Sequence, residues 1–385
     1  MAAGIAAALA VTVLVASCAS GSKANTGTGT TETPSAHSGH GSFSAPPPAA
    51  LRSGEHFLNL TMPQAYTPKA PNGGTDEYRC FLIDPKLTSQ QYLTGSQFLP
   101  QNADIVHHAI FFRVSPADAD KARQLDADTP GEGWTCFGDS GVEGETAWVA
   151  HWAPGANETL LNEGLGYSMP AGSMLVMQVH YNLLATGGKP GGSDQSSIRL
   201  RLADGSTKMT ALETGQLPAP VELPCATGES GPLCDRAAAI ADVANRFGKD
   251  AGRTVAGLNQ RCNGGKSPVA GITQHCDYPV PQAATIYATA GHMHLLGRAI
   301  KIELNPGTAT AQTLLDVPNF NFDDQSLRLL PKPVQVKPGD TLRVTCTHDA
   351  GLRKLLPQLK TQPARYVVWG DGTSDEMCLG LVIMS

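Results

Sequence analysis

Beyond about residue 51 the chain is written in short apolar runs, each closed by Gly, Pro or Asp. Residues 105–114 (IVHHAIFFRV) and 173–181 (SMLVMQVHY) are two such runs, and 283–290, 299–304, 342–347, 366–369 and 379–384 are later ones. Short alternating segments with regular turn punctuation predict antiparallel β-sandwich material. The turn-rich stretch 187–195 (GGKPGGSDQ) follows the first group, and a strand pair is expected near 197–202 and 208–213. These punctuations divide the folded part near residue 205, into 51–205 and 206–385. One stretch departs from the pattern. Residues 234–255 carry apolar positions at helical spacing, Ala238, Val243 and Phe247 among them, and predict a short helical insertion in the second domain. Lying among Cys225, Cys234, Cys262 and Cys276, it reads as a disulfide-pinned insertion over about 222–278 with a structural role.

The first 17 residues are almost wholly apolar and Cys18 follows directly. Val15-Ala16-Ser17-Cys18 resembles the lipobox of a bacterial lipoprotein signal peptide. The expectation is a leader over 1–17, lipidation on Cys18, and an exported chain anchored at the outer face of the cell membrane. The apolar run is short for a membrane span. Residues 18–50 are rich in Gly, Ser, Thr and Pro and predict a flexible tether, on which His37 and His40 read as solvated.

Composition narrows the classes. The chain has 385 residues, 41% hydrophobic and 16% charged, enough to build cores for two domains. A net charge of −6 and no basic block argue against a nucleic-acid partner. Setting aside Cys18, eight of the nine cysteines remain: Cys80, Cys136, Cys225, Cys234, Cys262, Cys276, Cys346 and Cys378. An even number in an exported chain predicts disulfides, with the connectivity open. No CxxC motif occurs, which argues against a thiolate zinc site or a redox dithiol.

Of the eleven His, the HxH pair His292/His294 and the adjacent pair His107-His108 draw attention first. Residues two apart on a strand share a face, so His292 and His294 can converge on one ion. Adjacent His on a flat strand point apart, and joint ligation by His107 and His108 needs a twist or a strand end. Taken singly, His180 and Met377 read as core or surface residues.

The combination carries more. EYRC at 77–80, IVHH at 105–108, AWVAHWAPG at 147–155, PAGSMLVMQVHYN at 170–182, HMHLLGR at 292–298, VKPGDTLRVTCTHD at 336–349 and GDGTSDEMC at 370–378 occur in order. In this set the chain resembles the copper type II, ascorbate-dependent monooxygenases, which include the peptidylglycine alpha-hydroxylating and dopamine beta-monooxygenases. The resemblance implies an all-β fold of two antiparallel jelly-roll-like β-sandwich domains in tandem. It implies two coppers per chain, one per domain across a solvent-filled cleft. His107, His108 and His180 would hold the electron-transfer copper; His292, His294 and Met377 would hold the catalytic copper that meets dioxygen. Imidazole suits copper, and a thioether favours Cu(I). Gln178 and Tyr78 match positions beside the first copper. The resemblance also suggests a Cys346–Cys378 disulfide and a Cys80–Cys136 pair in the first domain, while proximity in sequence suggests Cys225–Cys234 and Cys262–Cys276.

The implied function is hydroxylation of a C–H bond of a small-molecule substrate by O2, with ascorbate or another one-electron reductant as co-substrate. One departure bears on the substrate. Peptide-amidating members anchor the substrate carboxylate with an Arg where this chain has Ala290, and use Asn and Tyr where it has Leu379 and Leu381. An anionic peptide end would lose its charge-assisted partner. The expected substrate is therefore uncharged or apolar. The competing class is an exported copper-binding lipoprotein that stores, senses or hands on copper without turnover.

Overall fold

A computed structural model describes residues 45–385 of the chain. The leader, Cys18 and most of the tether, with His37 and His40, lie outside the described residues. The described residues cluster as one compact unit.

The fold is built of antiparallel sheets. The first has the strand order Glu55–Thr61, Ser197–Asp204, Gln91–Leu99, Leu165–Met169, Thr210–Ala211, with Thr159–Leu160 also paired to Gln91–Leu99. Its only parallel pairing is the short one between Thr210–Ala211 and Leu165–Met169. The second sheet runs Trp134–Thr135, Asp76–Ile83, Met174–Asn182, Val106–Val114, Thr146–Trp152. Alternation along its strands separates two faces. Phe81, Phe111, Leu175, Met177 and Val179 turn towards the first sheet and are almost wholly buried there with Leu93, Ile198 and Leu200. Each such side chain contributes on the order of 1.5–3 kcal/mol relative to exposure. The opposite face carries Tyr78, His108, Ile110, Gln178 and His180.

Two further sheets follow. One runs Glu213–Pro218, Leu379–Met384, Ala284–His292, Arg328–Val336; the other Thr273–Pro279, Thr341–His348, Gly297–Leu304, Gln312–Val317. Strand pairing thus changes hands between Thr210–Ala211, which still joins the first sheet, and Glu213–Pro218. The expected strand at 366–369 is reduced to Val367–Val368, paired with Glu222–Leu223. The predicted single helix is two, Arg236–Phe247 and Lys249–Cys262, broken at Gly248 with φ of 93°. Asp235 caps the first by accepting from the Ala238 amide at 2.9 Å. All four expected disulfides form: Cys80–Cys136, Cys225–Cys234, Cys262–Cys276 and Cys346–Cys378.

One close approach fixes where the HxH strand ends. Gly291 and Gly380 lie directly opposite each other in the pairing of Ala284–His292 with Leu379–Met384. A Cβ at Gly291 would fall 2.7 Å from Ile300 Cγ2, and one at Gly380 3.0 Å from Ile302 Cδ1. The two glycines therefore face the neighbouring sheet at contact distance. Ala290, His292, Leu379 and Leu381 alternate with them and face the other way.

This predicts opposite signs for two small substitutions, read by urea unfolding. Gly291→Ala overpacks a β-branched neighbour and destabilises by about 1–3 kcal/mol. Gly257→Ala, in the helix Lys249–Cys262 with nothing within 4 Å of the new Cβ, stabilises by about 0.5–1 kcal/mol.

Candidate metal centres

Adjacent imidazoles on a regular strand diverge, yet His107 and His108 converge. The register between Val106–Val114 and Met174–Asn182 supplies the reason. Val106 pairs with Tyr181 and His108 with His180, so His107 is an extra residue in a β-bulge. The bulge turns the His107 ring to the side that His108 already faces. His108 and His180, directly opposite, share that face.

The three rings meet through the same kind of atom. His107 Nδ1 lies 3.1 Å from His108 Nδ1, and His180 Nδ1 lies 3.3 Å from His108 Nδ1. They form a three-imidazole group in which one ligand atom per residue lies within 4.8 Å of the others. The remaining nitrogen of His180 is fixed: Nε2 donates to Asp76 Oδ1 at 3.0 Å. Asp76 also accepts from the Thr373 hydroxyl. Burial pushes the Asp76 carboxyl up, but the hydrogen bonds from His180 and Thr373 outweigh it and hold it below its usual range. With the His180 proton on Nε2, its Nδ1 presents a lone pair to the cluster. Tyr78 stacks on His180 at 4.2 Å and donates to the Asp371 carbonyl at 2.8 Å. Gln178 makes no hydrogen bond to these rings; its amide donates to the Asp139 carbonyl at 2.7 Å, beside the Cys80–Cys136 disulfide.

The second set sits where the strand Ala284–His292 ends. The His292 and His294 rings are 5.1 Å apart between centroids, and Met293 between them is buried on the other side. His292 Nδ1 pairs with Gln325 Oε1 at 2.7 Å, and His294 Nδ1 with the Asp375 carbonyl at 3.3 Å. Both acceptors lack protons, so Nδ1 is the protonated nitrogen and Nε2 carries the lone pair. His294 Nε2 is buried and has no hydrogen-bond partner. The backbone of Met377 is tied to that of His294 by its neighbour, and Met377 lines the same cavity as His292. The Glu376 carboxylate, fully buried, accepts from the amides of His294 (2.9 Å), Leu296 (2.6 Å) and Met377 (3.2 Å). The Cys346–Cys378 disulfide holds the next residue.

Burial holds His107 and His108 well below the ordinary imidazole range and His292 at about 3. These rings are neutral at physiological pH, as metal ligation requires. In the first set the ligand nitrogens converge, which fits a cation. The donor chemistry fits copper: imidazoles at one set, imidazoles with a thioether at the other.

The two ligand sets do not stand apart across a cleft as the resemblance implies. His108 and His292 are 5.4 Å apart between ring centroids, and Phe322 stacks on His107 at 4.2 Å while meeting His294 edge-on at 6.4 Å. Contacts between the two halves account for this closeness. Besides Asp76–Thr373 and Tyr78–Asp371, the Asn72 amide donates to the Asn245 carbonyl at 3.0 Å.

Beside the imidazoles lies a cavity of about 480 Å³. Its walls include Ala290, Leu379 and Leu381, together with Trp148, Phe247 and Leu258. The helical insertion, expected to be structural only, thus supplies part of the wall. It also braces the Met377 segment: Arg246 donates to Asp375 at 2.7 and 2.8 Å, and Arg365 donates to the same carboxylate at 3.1 Å. Burial pushes Asp375 up, and the Arg246 guanidinium overrides it and holds the carboxyl below its usual value.

Sequence reasoning missed Asp76, Gln325 and Glu376. Asp76 had a readable signal, since it lies two residues before Tyr78 on one strand face. Gln325 had none, because it reaches His292 from a loop 33 residues away.

Residues 267–384 match the family model for the copper type II ascorbate-dependent monooxygenase, C-terminal domain. A segment of 102 residues is 30% identical to dopamine beta-hydroxylase of Equus caballus; it covers 26% of this chain and 15% of that protein. The similarity thus lies in the C-terminal part of the chain, which resembles the C-terminal domain of the copper type II ascorbate-dependent monooxygenases, and the chain spans only a small part of that relative's length. Among solved structures, PNGase F, a glycosylasparaginase from Flavobacterium meningosepticum, is 9% identical, with 86% of this chain and 95% of that chain covered and a TM-score of 0.29. The major capsid protein P2 from bacteriophage PM2 is 9% identical, with 86% and 97% covered and a TM-score of 0.30. Overlaps that low carry no argument.

Asp371 gives a pH-dependent prediction. Burial raises its carboxyl to about 7, with the nearby Asp375 charge adding to the effect. A carboxyl with a raised folded pKa binds a proton that the unfolded chain has lost, so its contribution to stability falls as pH rises from about 4 to 7. The slope is about 1.4 kcal/mol per pH unit for one such group. Asp371→Asn is expected to gain stability relative to the parent across that window, measured by urea unfolding at fixed pH values.

Proposed function

We propose that the chain is a two-copper monooxygenase. It would insert one atom of O2 into a C–H bond of an uncharged, largely apolar small molecule, with ascorbate or a similar one-electron donor as co-substrate. The balance is substrate, O2, two electrons and two protons giving hydroxylated substrate and water. The observation that carries this reading is the pairing of two unlike sets of residues beside one cavity: three imidazoles that meet through Nδ1, and His292 and His294 with the Met377 segment tied to their backbone.

When bound, copper would supply the activation of dioxygen and the electron storage that no side chain provides. The protein's part is orientation. Asp76 fixes the tautomer of His180, Gln325 that of His292, and Glu376 ties the amides of His294 and Met377 to one carboxylate. The apolar wall formed by Ala290, Leu379 and Leu381 favours a neutral substrate and offers no charged partner to a peptide carboxylate. The four disulfides favour an oxidising compartment. With the lipobox-like VASC sequence they support export and lipid anchoring through Cys18. Among the described residues no helix is long and apolar enough to cross a membrane.

The test is dioxygen uptake by copper-loaded protein with ascorbate, with and without extracts of candidate substrates. Substrate-dependent uptake is expected, and Met377→Ala or His292→Ala should abolish it. Two bound coppers without turnover under any condition would instead support the copper-binding lipoprotein. A glycine-extended peptide should not be hydroxylated, and efficient product formation in a mass-spectrometric assay would contradict the substrate reading.

Ligand orientation has its own readout. Asp76→Asn should weaken copper at the His107/His108/His180 set, and Gln325→Leu at the His292/His294/Met377 set, each by roughly 10–100-fold in competition with a chelator.

A further inference from the structure

A sixth imidazole faces the cavity and belongs to neither ligand set. His151 lies on the strand Thr146–Trp152, directly opposite Ile110. Ile110 in turn lies opposite Gln178. Directly opposed residues share a face, so the His151 ring stands on the same side of the sheet as His108 and His180, one row along. It lines the cavity and is partly accessible from it.

Every other imidazole in this group has a role for at least one nitrogen. His151 has none: no hydrogen bond reaches its ring among the described residues, and its one ring contact is edge-on to Trp148 at 6.0 Å. It is not part of the three-imidazole group. Burial holds it at about 4, so the ring is neutral at physiological pH. A neutral imidazole offers one donor and one acceptor. The acidic groups of the cavity wall are Asp139 and Asp371, whose carbonyls accept from Gln178 and Tyr78, and Asp250 of the helical insertion, which pairs with Arg253. Beside His151 stand Trp148 and, on the neighbouring strand, Ile110, both of which line the same cavity.

We propose that His151 is a specificity-determining residue that hydrogen-bonds a neutral hydroxyl group on an otherwise apolar substrate. The inference rests on the cavity being the substrate site of the proposed monooxygenase. A hydroxyl both donates and accepts, which matches a neutral ring in an apolar wall. A hydrocarbon would leave the imidazole unpaired after water is expelled, and a neutral ring itself offers a charged group no counter-charge.

The test compares two probes of nearly equal shape, 1-indanol and indane, on copper-loaded, reduced protein without oxygen. Binding is followed by quenching of tryptophan fluorescence, since Trp148 and Trp369 line the cavity. The parent protein should bind 1-indanol on the order of ten-fold more tightly than indane. His151→Phe, which keeps a ring but removes both nitrogens, should bind the two alike, and His151→Gln should restore the preference. Copper content should stay at the parent value in both variants. The proposal is overturned if the preference survives in His151→Phe, if the parent protein shows no preference or binds neither probe, or if His151→Phe loses a copper and so reveals a ligand. Because the measurement involves no turnover, its failure is distinguishable from failure of the oxygenase reading, which is decided by dioxygen uptake.

Discussion

An imidazole can give a metal only one nitrogen, and in the interior of a protein the other must be satisfied or sealed off. That constraint organises this molecule. Asp76 takes the second nitrogen of His180, Gln325 that of His292, and the Asp375 carbonyl that of His294. His107 is sealed by the face of Phe322 instead, with its Nε2 left bare. Each arrangement turns a lone pair inward. Without it, the five rings would be a collection of buried polar atoms, each costing about 1–3 kcal/mol unpaired.

The segment 371–377 is where these arrangements meet. The Asp371 carbonyl accepts from Tyr78, Thr373 donates to Asp76, Asp375 receives two arginines, and Glu376 holds the backbone of the HMH turn. Met377 is therefore positioned by groups from both halves of the fold and from the helical insertion. Burying Asp375 alone would be costly, and the guanidiniums of Arg246 and Arg365 are what make its position tolerable. The same segment ends at the Cys346–Cys378 disulfide, so its register against the strand Ala284–His292 is fixed on both sides.

Much of this was legible from residue patterns. Period-2 alternation located the strands around His107, His180 and His292; the even cysteine number anticipated disulfides, with local spacing suggesting Cys225–Cys234 and Cys262–Cys276 and the family resemblance the other two. The convergence of His107 with His108 was not legible, because a bulge is a property of register between two strands and not of either strand alone. The break at Gly248 was obscured by apolar spacing that continues through it. The insertion's part in the cavity wall was hidden for a similar reason. Phe247 and Leu258 look like ordinary helix core until the strand Leu379–Met384 is placed opposite them. The closeness of the two ligand sets depends on Asp76–Thr373, a contact spanning 297 residues, which no local pattern encodes.

The central claim is that two copper ions bind at two unlike ligand sets. Anomalous scattering at the copper absorption edge, from crystals of the copper-loaded protein, tests it most directly. The account predicts two peaks, one among the Nδ1 atoms of His107, His108 and His180, the other among His292 Nε2, His294 Nε2 and the Met377 sulfur. A single shared peak, or peaks away from these residues, would contradict it.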